Sequence, residues 1–141
     1  MITLSDAYLT DLAKLVGAHG AFLGGFAATI LVTLLLADTR SRVLSWIIGA
    51  SALAACSLMV SVISSMMISL VLHPDAPIAM NRTASTDGAR VVSVLGFVLG
   101  VYALLAAVGL SGWLRSRRLG LLTTTFAVLA IVLGSWALLG F

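Results

Sequence analysis

The chain has 141 residues, of which 61% are hydrophobic and only 9% charged, with a mean hydropathy of +1.18. That balance excludes an ordinary soluble globular domain. A net charge of +3 would invite a nucleic-acid partner in a soluble chain, but here the basic residues are arginines flanking apolar segments, so no nucleic acid is expected and membrane topology explains them. The reading is an all-α integral membrane protein: a single transmembrane domain, 1-141, folded as a four-transmembrane-helix bundle of two helical hairpins, with its partner the lipid bilayer. Its charge-free spans run at about 15-37, 43-72, 91-113 and 119-141, each long enough to cross.

An amphipathic leader over 5-14 comes first, with Ser5 and Asp6 starting a helix and Tyr8, Leu9 and Leu12 opposite Thr10, Asp11 and Lys14. It is expected either to lie as an interfacial anchor or to run straight into the first span, and the first span is expected to serve as its own insertion signal. In that span Gly20, Gly24 and Ala28 form a row of small residues that permits close helix packing. A neighbouring row, Ala21, Gly25, Thr29 and Thr33, offers two hydroxyls to its own backbone, to another helix or to a pore. The turn Asp38-Thr39-Arg40-Ser41-Arg42 is short enough to make the first two spans antiparallel neighbours.

The second span, Val43 to Leu72, has 30 residues without a charge and would reach ~45 Å against a hydrocarbon core of ~30 Å. Ser57, Ser61, Ser65 and Ser69 recur at every fourth position and share one face, which must meet either another helix or a watery path. The lone cysteine, Cys56, is expected to be a buried packing residue. His73-Pro74-Asp75-Ala76-Pro77 ends the helix and opens a loop to Arg90, the best candidate contact surface outside the bilayer. Within it, Asn81-Arg82-Thr83 matches the glycosylation sequon by coincidence.

The third span carries small residues at Ser93, Gly96, Gly100, Ala103 and Ala107, and the fourth at Thr123, Ala127, Ala130, Gly134 and Ala137. These two heptad-like seams suit one close contact and a second hairpin. Arg40-Ser41-Arg42 and Arg115-Ser116-Arg117 stand 75 residues apart, as do Gly25 and Gly100, which is compatible with a duplicated two-helix unit.

Orientation follows the arginines. Arg40, Arg42, Arg115, Arg117 and Arg118 stand on one side against Lys14, Arg82 and Arg90 on the other, so the two short turns are expected to be cytoplasmic and the termini and the 73-90 loop outside. Trp46 and Trp113 then mark the cytoplasmic interface and Trp136 the opposite one. Seven arginines against one lysine fit a GC-rich bacterial source, hence a cell (inner) membrane.

The spans contain no Asp, Glu, Lys or Arg, which argues against an enzyme and against a proton-coupled transporter. No catalytic residue and no cofactor is expected. The one metal reading open is His19 with His73, which antiparallel packing brings to one face near Met66, Met67 and Met80, as a copper site or a bis-histidine haem.

Gly25-Phe26-Ala27 in the first span, Met67-Ile68-Ser69 followed by Pro74 in the second, and Gly100, Ala106 and Trp113 in the third resemble the Orai-type calcium channels, four-span proteins that assemble around a pore made by their first helix. The resemblance implies a pore row of Phe22, Phe26, Thr29 and Thr33, with Thr33 where the family carries its selectivity glutamate. It also implies cytoplasmic termini, opposite to the arginine count. The expected function is a homo-oligomeric ion channel or pore lined by that row or by Ser57, Ser61, Ser65 and Ser69; the alternative is a non-catalytic accessory or assembly subunit docked to other membrane subunits through the small-residue faces at Gly20, Gly24, Gly96, Gly100, Ala130 and Gly134.

Overall fold

The computed structural model describes residues 6–36, 41–72 and 86–139. They form α1 (Asp6–Leu35), α2 (Arg42–Val71), α3 (Thr86–Ser111), a 3-10 turn (Gly112–Leu114) and α4 (Arg117–Leu139). Among the described residues, four helices are long and apolar enough to cross a membrane, over Tyr8–Leu35, Arg42–Val71, Asp87–Leu114 and Arg117–Trp136.

The leader and the first span are one uninterrupted helix. Nothing between Lys14 and Leu15 breaks the hydrogen-bonded ladder, and Leu9 and Ala13 are buried on the same stripe as Gly20 and Ala27. The amphipathic segment is therefore the first three turns of α1. Two serines start helices in the same way: the Ser41 side chain accepts from the Leu44 N–H at 3.1 Å and caps α2, and Ser116 accepts from the Leu119 N–H at 3.2 Å at the start of α4. The 75-residue echo thus extends to the cap geometry of both turns.

The centre of the molecule is α2, held between α1 and α3. A Cβ added to Gly17 would meet Ser65, one at Gly20 would meet Val62, and one at Gly24 would meet Leu58, so α1 descends along α2 as the sequence numbers rise. On the other side Gly96 faces Ser57 and Ser61 while Gly100 faces Leu58, again antiparallel. Ala27, Ala54, Ala103 and Leu104 close a small core where the three helices meet, with Leu23, Ile30 and Ala55 packed around it. None of the described glycines has a positive φ; Gly17, Gly20, Gly96 and Gly100 stand where a neighbouring helix approaches, and not where the chain turns.

Helix α4 differs from the expected arrangement. The α3 seam of Ser93, Gly96, Gly100, Ala103 and Ala107 faces α2 and the core and not α4, because the Leu58 side chain fills the notch at Gly100 and Ser61 pairs with Ser93. What α3 and the 3-10 turn offer α4 is a different stripe: Gly109 against Thr124 and Ala127, Gly112 of the turn against Leu119 and Thr123, and a 2.7 Å hydrogen bond between Tyr102 and Ser135. Ala130 and Gly134 take no part in it; both are exposed, and no atom lies within 4 Å of a Cβ built on Gly134. Packing of α4 is essentially against α3 and the turn, so the four helices form a row with α2 and α3 inside and not a closed bundle. Arg42, Arg115, Arg117 and Arg118 gather at one end of this row, and Asp11, Lys14, Asp87 and Arg90 at the other.

Candidate functional site

The polar rows of α2 and α1 are the natural place to look for function, and their surroundings differ sharply. Ser57, Ser61 and Ser65 are buried, Ser61 and Ser65 almost completely. The Ser61 hydroxyl donates to the Ser93 carbonyl at 2.8 Å, and the Ser93 hydroxyl returns a longer bond of 3.4 Å to the Ser61 carbonyl. Gly96 is what lets the two backbones come that close, since a Cβ there would lie 2.9 Å from the Ser57 carbonyl oxygen. One turn on, Ser65 donates to the Val62 carbonyl at 2.8 Å, facing Gly17 of α1, and half-buried Ser69 donates to the Ser65 carbonyl at 3.1 Å. Ser61 and Ser65 form a buried seam joining three helices of one chain, and Ser65 and Ser69 also border the cleft between α1 and α2. Ser51, toward the arginine end of α2, is fully buried and its hydroxyl has no hydrogen-bond partner.

The row on α1 is open. Phe22, Phe26, Thr29 and Thr33 are exposed, and Gly25 has nothing within 4 Å of a built Cβ. Both hydroxyls are already used by their own helix: Thr29 donates to the Gly25 carbonyl at 2.9 Å and Thr33 to the Thr29 carbonyl at 2.8 Å. Each retains acceptor capacity only. Gly20, Gly24, Gly96 and Gly100 stand at close helix approaches, whereas Ala130 and Gly134 look outward. Cys56, expected inside, is exposed, because it lies on the side of α2 away from the Leu58 knob and the core. His19 is exposed, and its Nδ1 sits 2.8 Å from the Leu15 carbonyl, to which it donates. His73, Met80 and the sequon lie outside the described residues, and Met66 and Met67 point outward from α2.

Two clefts flank the first turns of α1. The larger, of about 510 Å³, runs between α1 and α2, lined by Gly17, Ala18 and Ala21 on one side and Ser65 and Ser69 on the other, with Lys14 among its walls. The smaller, of about 110 Å³, lies where α1, the end of α2 and the start of α3 converge; its walls are Leu9, Leu12, Val16, Ile68 and Val94. Arg90 stands in that apolar wall. Its Nε is buried with no hydrogen-bond partner although 37% of the side chain is exposed, and among the described residues its ion pair is a loose 3.7 Å contact from Nη1 to Asp87, which is itself 86% exposed. In the sequence Arg90 counts only as a topology charge, yet its spacing is a usable signal: it precedes Ser93 by three residues and continues the α3 seam by one turn, so it is carried against α2 and α1. Compared with family models, curated proteins and solved structures, the chain finds no match.

Proposed function

We propose that this chain is an integral protein of the cell (inner) membrane that acts without catalysis, as an accessory or assembly subunit packing through its helix faces. The observation that carries this reading is the combination of a buried Ser61–Ser93 contact between helices with large apolar side chains exposed on every helix, among them Phe22, Trp46, Phe126 and Trp136. In water such a surface would drive aggregation; in a bilayer it is matched by lipid or by another apolar helix. The open face of α1 and the singly packed α4 are the two surfaces with room for another subunit. Arginine clustering supports short turns on the cytoplasmic side and the termini and the 73-90 loop outside.

A second reading, a homo-oligomeric channel, is favoured by one observation: Phe22, Phe26, Thr29 and Thr33 share an unoccupied face of α1, the row to which the Orai-type resemblance assigns a pore. Mass measurement in mild detergent separates the two. Co-purifying unlike chains support the accessory reading, and a symmetric self-assembly supports the channel. Thr29→Cys in a Cys56→Ala background extends the test, because a thiol reacts with a hydrophilic reagent only where water lets it ionise. The accessory reading expects slow modification and no change in liposome ion flux; fast modification that alters flux overturns it.

A further inference from the structure

We propose that the cleft beneath Arg90 seats a phospholipid with an anionic headgroup, its phosphate on the guanidinium and the start of one acyl chain against Leu9, Leu12, Val16, Ile68 and Val94. The inference rests on the membrane reading above and adds a ligand to it. Three observations converge. The first is the unsatisfied Nε of Arg90, a buried donor atom of a partly exposed guanidinium that the protein leaves without an acceptor, the Ser93 hydroxyl beside it donating to the Ser61 carbonyl instead. The second is chemical: every remaining wall residue is apolar, so the occupant must be an amphiphile and not a free anion. The third is position. Arg90 immediately precedes the charge-free run of α3, and under the membrane reading the end of such a run is where an arginine reaches lipid headgroups.

Asp87 is the built-in competitor. It holds Nη1 at 3.7 Å, longer than a good hydrogen bond, and lies almost wholly in solvent, so a phosphate can displace it. A guanidinium freed of Asp87 can offer its fork to phosphate oxygens, while ester oxygens just below reach Nε. At about 110 Å³ the cleft takes only the first few methylenes, each filling roughly the volume of a water molecule, ~30 Å³; the rest of the chain continues over the exposed apolar surface of α1 and α3.

The test uses native mass spectrometry of the full chain released from mild detergent with phosphatidylglycerol or phosphatidylcholine of identical acyl chains. The expected result is one retained phosphatidylglycerol at concentrations where phosphatidylcholine is not retained. Arg90→Gln should weaken that retention about tenfold or more, Arg90→Lys should keep part of it, and Asp87→Asn should strengthen it. Equal retention of the two lipids, or an Arg90→Gln variant with undiminished binding, overturns the proposal. Helicity by circular dichroism guards against misfolded variants, and Asp87→Asn, at an exposed position, tests the idea even where Arg90→Gln does not fold; no gain in that variant also counts against it. Alkaline carbonate extraction keeps the two readings apart: a chain that stays with the membrane but selects no lipid sinks this proposal alone, and a chain released by carbonate sinks the membrane reading.

Discussion

Adding a single methyl group at Gly96 should loosen the molecule at its centre. An alanine Cβ at this position would sit 2.9 Å from the Ser57 carbonyl oxygen and 3.3 Å from the Ser61 nitrogen. Both are backbone atoms, so no side chain can turn away; to restore contact at ~3.5 Å, α2 and α3 must separate by roughly half an ångström. Overpacking of this kind costs about 1–3 kcal/mol, and alanine's better helix propensity returns ~1 kcal/mol, leaving a net loss of up to about 2 kcal/mol. At Gly100 the nearest atom is the Leu58 Cγ, 2.5 Å away, on a side chain that is fully buried and has Gly24 on its other flank. Gly100→Ala should therefore destabilise by a similar amount, and it should couple to Leu58→Ala. Leu58→Ala alone should cost about 2–5 kcal/mol, and the double variant should cost about 1 kcal/mol less than the sum. Gly25→Ala and Gly134→Ala are the controls, since a Cβ at either meets nothing within 4 Å; both should be neutral or stabilising by up to ~1 kcal/mol. Unfolding by titration with dodecyl sulfate in mixed micelles, followed by tryptophan fluorescence, measures all six. If Gly96→Ala is as stable as Gly25→Ala, the close α2–α3 approach is not what holds the helices together.

The buried serines should divide by their partners. Ser61→Ala and Ser93→Ala should each lower stability by about 0.6 kcal/mol in the same titration, the usual worth of an interhelical hydrogen bond in a bilayer, whereas Ser51→Ala, which removes a buried hydroxyl with no partner, should be neutral or stabilising. For orientation, cysteines placed at Ser41 and Ser116 should be labelled from the cytoplasm and one near Ser85 from outside; reversed accessibility of all three would refute the arginine argument. Ser61→Cys should resist a hydrophilic thiol reagent in the folded protein, since Ser61 is fully buried, and rapid modification there would show that the seam is wet.

The helices themselves were legible because charge-free runs bounded by arginine turns or prolines leave few alternatives for the backbone. Neighbours in the row were less so. Small residues at three- and four-residue spacing mark a face that can pack closely, but the pattern carries no address: Gly96 and Gly100 read equally well as a seam for α4, and the choice of α2 depends on the knob of Leu58 and the hydroxyl of Ser61 arriving at the same height. On α4 the mark is misleading beyond Ala127, for Ala130 and Gly134 continue the spacing but are exposed, and a Cβ on Gly134 meets nothing within 4 Å. Of the candidate functional rows, periodicity identified the shared faces of Ser57 to Ser69 and of Phe22 to Thr33, but not which was covered. That difference is one of neighbours, and a single helix's sequence holds no record of them. Arg90 was hidden for the opposite reason, since a charge beside a loop is read as topology until the packing of α1 and α2 around it is seen.

The placement of hydroxyls constrains what this chain can do alone. A hydrophilic path needs groups that can turn donors and acceptors toward water, and the chain spends its donors elsewhere: Ser61 and Ser93 on each other's carbonyls, Ser65 and Ser69 on α2, Thr29 and Thr33 on α1. Hydroxyls that bond the preceding turn present to their surroundings a methyl or methylene and an acceptor lone pair. An axis lined by Thr29 and Thr33 would therefore favour cations over anions, and the rings of Phe22 and Phe26 one and two turns away would narrow it to an apolar constriction that excludes water. Conduction through such an axis requires several copies of α1 held at a distance that keeps the aromatic rings apart. Helix packing through Ala21 and Gly25 works against that spacing, because small residues draw backbones together and close the axis. The same face is thus better suited to gripping a partner helix than to surrounding a column of water, and it is this conflict between close packing and an open bore that favours the accessory reading.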